Sequence, residues 1–282
     1  MRKKNISLYI AGIIIAIVIL APIYWMIISA ISPKVELLTK PPHWFPHNPS
    51  AANFLKLIKG GEGTSGEIPN FSKAMINSFG IAILTGAIAI VLALFAAYSL
   101  SRLLGRKVKN IYLNSIIIFR MFPEISLVLA LYLIITKMGL IDTWLALIIV
   151  YLSFVLPYSI WMLYGFFLKI PRELEEAAKI DGASTMKIFL KIDLPLLIPQ
   201  ISTTFIFIFL MCWDEFLYAL ILTHSMRAKT ITVAVSEFTT RHMIDYGLMM
   251  AGGLLASIPP LIIATIFQKY IVQGLTAGAV KG

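Results

Sequence analysis

Six long apolar runs constrain this chain more than any other feature of its sequence. A helix rises about 1.5 Å per residue, so about 20 apolar residues cross the hydrocarbon core of a bilayer. Backbone groups cannot stay unpaired in lipid, and the runs are too long and continuous for barrel strands. The predicted fold is therefore an all-α integral membrane protein, with residues 1–282 as a single transmembrane domain. The six predicted spans are Leu8–Ile31, Ala74–Leu100, Ile111–Thr136, Thr143–Leu168, Leu196–Thr223 and Gly247–Gln268.

The balance of charge supports a membrane environment rather than a soluble one. Charged residues make up 13% of the chain, about half of the roughly 25% that soluble domains carry. The net charge of +10 would suit nucleic acid, but the basic residues form short clusters between apolar runs. Such clusters are typical of orientation signals and lipid-headgroup contacts, so we predict membrane lipid and no nucleic acid as a partner. The single cysteine, Cys212, can form no intrachain disulfide.

Basic clusters also predict the orientation of the chain. The first, at Arg2–Lys4, precedes an uncharged run far longer than the roughly 7–15 residues of a signal-peptide core, which favours a retained span. With six crossings, this cluster lies on the same side as those at Arg102–Lys109 and Lys169–Lys191. By the positive-inside rule that side is the cytoplasm, and both termini of this cell-membrane protein are cytoplasmic. The outer side then receives Ser32–Ser72, rich in Pro and Gly, and His224–Tyr246.

Charged groups inside the predicted spans are candidates for a translocation path. An ionised group at membrane depth is costly, so by default it faces protein or water. Pro123 lies between Arg120 and Glu124 and should kink its helix, although these two charges could simply pair with each other. Asp214 and Glu215 lie near the outer end of span five, where solvation is cheaper. The path candidates are Arg120, Pro123, Glu124, Trp213, Asp214 and Glu215.

The segment between spans four and five predicts a helix–turn–helix elbow. Pro171 suits a first helical position, and the glutamates at 173, 175 and 176 favour a helix N-terminus through the dipole. Gly182 can end that helix in a left-handed turn. Ser184 can cap a second short helix that stops before Pro195. The elbow presents small residues ringed by charge, which suits docking of another protein.

This elbow resembles the EAA loop that marks the membrane subunits of binding-protein-dependent ABC importers. The spacing Glu-Ala-Ala-x3-Gly-x9-Ile-x-Leu-Pro is met in full from Glu176 to Pro195. The resemblance implies a coupling helix, which sits in a groove of an ATPase subunit and transmits its closure to the spans. On this basis the residues assigned to ATPase coupling are Glu176, Ala177, Ala178, Asp181, Gly182, Ile192, Leu194 and Pro195.

Other stretches resemble one branch of that family, the maltose-type sugar permeases, and the short outer loop is similar to that of the smaller of their two permease subunits. The stretches are Pro42–Pro46, Arg120–Pro123, Trp213–Phe216 and Gly274–Gly282. Asp214 departs from the pattern, since relatives often have asparagine there, which weakens the expectation of a neutral hydrogen-bonding role.

The resemblance implies a permease subunit that forms half of the translocation path of an ATP-driven importer of mono-, di- or oligosaccharides. The implied partners are a second permease subunit, an ATPase dimer and an extracytoplasmic sugar-binding protein. The chain has no G-x4-G-K-[ST] loop, so ATP and Mg²⁺ are expected on a separate ATPase. We expect this chain to be no enzyme and to bind no cofactor.

Two other function classes explain fewer of these features. An ion- or proton-coupled secondary transporter would explain Arg120 and Glu124 as coupling groups, but not the elbow, and no inverted repeat with paired broken helices is evident. An intramembrane enzyme needs a nucleophile or metal cluster. The histidines fall in outer segments without metalloprotease spacing, so no metal site is predicted and His43 and His47 are expected to be solvated loop residues. The four histidines are His43, His47, His224 and His242.

Overall fold

The computed structural model describes the backbone of residues 2–41, 43–59, 61–63, 66–68, 70–239 and 244–276. Within these ranges the regular secondary structure is helical, apart from one short antiparallel hairpin and an isolated bridge. The described chain divides into two compact units, Met1–Met75 with Ile231–Ile258, and Ile76–Thr230 with Pro259–Gly282.

The elements as far as the sixth helix are α1 (Arg2–Ile31), α2 (Lys34–Leu37), α3 (Ala52–Lys59), β1 (Gly61–Gly63), β2 (Gly66–Ile68), α4 (Phe71–Tyr98), the π-helical turn Ser99–Leu103, α5 (Arg106–Met121) and α6 (Glu124–Lys137). The remaining elements are α7 (Trp144–Phe167), α8 (Arg172–Ile180), α9 (Thr185–Ile188), the π-helical turn Phe189–Asp193, α10 (Leu194–Leu196), α11 (Ile198–Trp213), α12 (Leu217–Leu222), α13 (Ile231–Ser236) and α14 (Tyr246–Thr276).

Four helices in the described residues are long and apolar enough to cross a membrane. They are Leu8–Ile31, Phe71–Leu103, Trp144–Phe167 and Tyr246–Gln268, which coincide with predicted spans one, two, four and six. A fifth crossing results if Thr185–Leu196 and Ile198–Trp213 count as one span, but the two pieces are bent by 73°. The bend means that Thr185–Leu196 does not continue the axis of α11, so we group it with the elbow.

Predicted span three is broken rather than kinked. Helix α5 ends at Met121, Phe122 and Pro123 are extended with ψ of 126° and 131°, and α6 begins at Glu124. The ring of a proline pushes the preceding residue out of the helical region, which explains the end at Phe122. The N–H that Pro123 lacks would have no intrahelical partner at a helix start, so the proline fits there at no cost.

Predicted span five is also interrupted, near its far end. Helix α11 ends at Trp213 and α12 begins at Leu217. The carboxylate of Glu215 accepts hydrogen bonds from the backbone N–H groups of Tyr218 at 2.7 Å and Ala219 at 3.1 Å. These amides have no partner within α12, so Glu215 acts as its N-terminal cap and stabilises the break.

The first unit is organised around the C-terminal end of α1. The backbone N–H of Ser50 donates to the carbonyl of Ile31 at 2.8 Å, and the Asn53 side chain donates to the carbonyl of Ala30 at 2.9 Å. These bonds satisfy carbonyls that a helix end leaves unpaired. The side chains of α1 from Leu8 to Ile23 are exposed, as expected for a surface that lipid or another protein covers.

In the second unit, α4 packs closely against neighbouring aromatic residues. The amide of Asn77 accepts from the indole N–H of Trp144 at 3.0 Å and donates to the carbonyls of Met226 and Lys229 at 3.2 and 2.9 Å. One turn further along α4, Gly80 faces the same indole. Helix α4 approaches this closely because glycine has no side chain, a common device in membrane helix packing.

We predict that Gly80→Ala destabilises the protein. A Cβ at this position would lie 2.5 Å from ring carbons of Trp144, so the indole or the helix must move. Overpacking of this kind costs about 1–3 kcal/mol, which a lower thermal unfolding midpoint in detergent would report. Gly165→Ala in α7 is the matched control, because nothing lies within 4 Å of an added Cβ there. Equal midpoints for the two variants would contradict this account of the packing.

Candidate functional site

The segment after α7 folds into two short helices with a tight turn between them. Pro171 precedes α8, and the turn that follows contains Gly182 with a φ of +77°, in the left-handed region that favours glycine. The hydroxyl of Ser184 accepts from the backbone N–H of Lys187 at 3.4 Å and caps α9. These are the start, turn and cap that the sequence predicts. We call residues 171–195 the elbow.

One arginine attaches the elbow to two long helices. Arg102 lies in the π-helical turn after α4, and its Nε donates to the Glu175 carboxylate of α8 in a short ion pair. Its Nη2 donates to the carbonyls of Phe167 at 3.0 Å and Ile170 at 3.1 Å, at the end of α7. The side chains of Arg102 and Glu175 are only 6% and 5% exposed. The cation therefore joins α4, α7 and α8 at one buried point.

A second acid lies in the same buried region. Asp193 is fully buried at the end of the second π-helical turn, and neither carboxylate oxygen has a hydrogen-bond partner within the described chain. Burial, and then the charge of Glu175, raise the pKa of Asp193 to about 6, against the opposing effect of Arg102. The positive charge of Arg102 thus faces two buried carboxyl groups. Because the raised pKa makes Asp193 easier to protonate, burying both groups costs less than burying two carboxylates.

The exposed side of the elbow carries most of the residues predicted to couple an ATPase. Glu176, Ala177, Asp181 and Gly182 are exposed, and Ala178 is half-buried. Beside them Ile180 is 88% exposed, the largest exposure among the large apolar residues described, and Leu174 and Met186 are also exposed. An apolar tip with charges around it is unfavourable in water, and such tips are typical of surfaces that bind other proteins.

The last part of the predicted motif lies in a different place. Ile192 and Leu194 are half-buried and Pro195 is exposed, on the second π-helical turn and α10. These residues form the joint that leads to α11 rather than the exposed face of α8. The structure therefore divides the motif between an exposed part on α8 and its turn and a joint before α11, a division that the linear spacing does not show.

Three of the candidates for a translocation path, Trp213, Asp214 and Glu215, lie at the end of α11 and in the break before α12. Trp213 is 3% exposed and stacks on Phe209 with ring centroids 5.6 Å apart, so it is a core residue. Glu215 caps α12, and Asp214 is exposed after α11. The structure thus gives Trp213 and Glu215 packing and capping roles.

Several predicted features lie outside the described residues. For Arg120 and Glu124 only the backbone is described, at the end of α5 and the start of α6, so their pairing stays a prediction. Pro42 and His242 fall in the undescribed positions, as do residues 277–282 of the predicted C-terminal motif.

The sequence matches a family model and several known proteins. The family model of the binding-protein-dependent transport system inner membrane component matches residues 68–277. The chain is 36% identical to the trehalose/maltose transport system permease protein MalG of Thermococcus litoralis, over 99% of this chain and 98% of that protein. It is 38% identical to the trehalose transport system permease protein SugB of Mycobacterium tuberculosis, over 93% of each.

A solved structure shares the fold. A crystal structure of a bacterial ABC transporter involved in the import of the acidic polysaccharide alginate superposes with a TM-score of 0.75 at 18% identity. The match covers 96% of this chain and 98% of that chain. The likeness extends over almost the whole of both chains.

We predict that Arg102→Ala strongly destabilises the protein, because it leaves Glu175 and Asp193 buried without a cation. Breaking a buried ion pair from one side costs about 3–5 kcal/mol. Thermal unfolding in detergent should show a large fall in the midpoint, and Glu175→Gln in the same chain should recover part of it. Arg106→Ala, at the exposed start of α5, is the control. A midpoint for Arg102→Ala equal to that of Arg106→Ala would refute the anchoring role.

Proposed function

Because the chain belongs to the family of binding-protein-dependent transport system inner membrane components, we propose that it is the smaller permease subunit of an ATP-driven sugar importer. It is a multi-pass membrane protein and a transport subunit rather than an enzyme or a secondary transporter. The proposed cargo class, a mono-, di- or oligosaccharide, rests on relatives named as trehalose and maltose permeases.

The observation that carries the proposal is the exposed face of α8 and its turn. Ile180 at 88% exposure, with Ala177 and Gly182 beside it, gives a protein partner an apolar contact and room for close approach. The sequence has no nucleotide-binding loop of its own, which supports a separate ATPase dimer as that partner, with ATP and Mg²⁺ bound there.

The proposed path of coupling runs through Arg102. Its side chain bonds to α8 through Glu175 and to carbonyls at and just after the end of α7, while its backbone continues α4. A displacement of the elbow by the ATPase is therefore carried to α4 and α7 together. Movement of these two helices would open or close the proposed path that this subunit forms with a second permease subunit.

Charge supports an orientation with the elbow in the cytoplasm. The basic clusters around Arg102–Lys109 and Lys169–Lys191 predict this side, and with it cytoplasmic termini. Residues Ser32–Ser72 and His224–Tyr246 then face outward, where we place docking of the extracytoplasmic sugar-binding protein.

We predict that Gly182→Asp abolishes uptake while the protein still inserts at normal levels. An added Cβ meets nothing within 4 Å, so the folded chain bears only the left-handed backbone strain, about 1–2 kcal/mol. A charged side chain on the docking face would nevertheless separate the two proteins. ATPase activity of the purified complex should stop responding to the sugar-loaded binding protein.

The chain offers a closely matched control in Gly139→Asp. Gly139 has a φ of +67° and nothing within 4 Å of an added Cβ, but it follows α6 and is not part of the elbow. The control should bear the same strain and keep sugar-stimulated ATP hydrolysis and uptake. Normal coupling in Gly182→Asp, or equal loss in both variants, would show that the elbow is not the docking face.

A further inference from the structure

Three side chains of the first unit that the proposed function does not use lie close together. They are Glu36 in α2, and His43 and His47 in the segment that follows. One oxygen or ring nitrogen from each lies within 4.8 Å of the others. The Nδ1 atom of His47 is 3.6 Å from Oε2 of Glu36. Two ligands of a tetrahedral zinc ion, with bonds of about 2.0–2.1 Å, stand about 3.3 Å apart. Small side-chain movements would therefore bring all three into a coordination sphere.

The carboxylate is already oriented by its surroundings. The backbone N–H of His47 donates to Glu36 Oε2 at 3.0 Å, and the Glu36 side chain is 15% exposed. The hydroxyl of Thr39 donates to the backbone carbonyl of Glu36 at 2.8 Å. The first bond holds the carboxylate itself and the second holds the backbone of its residue; hydrogen bonds to a ligating carboxylate are usual at metal sites.

His43 supplies an independent sign of a ligand. Its Nδ1 is buried and has no hydrogen-bond partner among the described residues. A buried polar atom without a partner costs about 1–3 kcal/mol, so such atoms are rare without a bound water or ion. The expectation of two solvated histidines is thus met for His47, whose side chain is 68% exposed, but not for His43 Nδ1.

The segment that carries the histidines is fixed on α1. The hydroxyl of Tyr24 donates to the carbonyl of Trp44 at 2.8 Å, and the indoles of Trp25 and Trp44 meet edge to face with centroids 5.6 Å apart. Phe45 contacts the ring of Tyr24 in the same way at 6.2 Å. Trp44 and Phe45, which lie between the histidines, are therefore held against α1, and the two imidazole rings lie with centroids 4.6 Å apart.

We propose that Glu36, His43 and His47 form a binding site for Zn²⁺ or a similar late first-row divalent cation. Two imidazoles and one carboxylate are the donor set that zinc takes in proteins, and a water molecule would complete four-coordination. The bound ion would tie α2 to the segment on which Trp44 and Phe45 lie, and so lock this segment against α1. The site does not depend on the proposed transport function.

The test is a zinc titration of the purified full-length chain, carrying an affinity tag without histidines and treated with a chelator beforehand. Competition with a chromophoric chelator should give a single equivalent of Zn²⁺. His43→Ala and His47→Ala should each weaken the affinity at least tenfold, and Glu36→Gln should weaken it less. His224→Ala, which removes an exposed histidine outside the cluster, should bind as the unmodified chain does.

A second measurement separates coordination from loss of fold. His43→Gln keeps a polar side chain of similar reach and should also lose affinity while it elutes as the unmodified chain does in size exclusion. Replacing zinc by Co²⁺ should give the strong visible absorption of four-coordinate cobalt in the unmodified chain and in His224→Ala. Zinc affinity unchanged in the double variant His43→Ala/His47→Ala, or only the weak spectrum of hydrated Co²⁺, would overturn the proposal.

Discussion

The buried ion pair of Arg102 and Glu175 is the interaction on which the attachment of the elbow to α4 and α7 depends. A guanidinium has five donors in a rigid plane, so it can bind a carboxylate and the two carbonyls at the end of α7 at once. A lysine in its place would offer a point charge without this fork. The desolvation of such a pair is expensive, and the pair itself is weak evidence for stability. Its value lies in geometry, because it fixes the direction in which α8 leaves the membrane helices.

The bilayer imposes the second constraint, and at two helix breaks local features reduce the number of backbone groups left without a partner. At the first break Pro123 lacks an N–H and so leaves one fewer donor to satisfy at the start of α6. At the second, the Glu215 carboxylate accepts two amides at the start of α12. Both features lie within a few residues of the break, and both lower the number of donors that the interruption leaves to be satisfied.

Local features were predictable from the sequence, whereas distant pairings were not. Pro171, Gly182 and Ser184 act within a few residues of their own positions, so their patterns predict the start, turn and cap of the elbow. The sequence predicted a kink at Pro123, whereas the structure has a break there. A proline disfavours the helical conformation of the residue before it, but the sequence alone does not decide whether the helix bends or ends. Arg102 and Glu175 are 73 residues apart in the sequence. The sequence shows Arg102 only as part of a basic cluster that orients the chain, and nothing in it indicates an ion pair with α8.

The most direct test of the account is a photo-crosslink from the tip of the elbow. A benzophenone amino acid in place of Ile180 should form an adduct with the ATPase of the purified complex, identified by mass spectrometry. The same amino acid in place of Leu129, an apolar residue of α6 that is 68% exposed, should form none. The account predicts an adduct at Ile180 that weakens when Gly182→Asp is introduced. Equal crosslinking from both positions, or an Ile180 probe that reacts only with lipid, would contradict it.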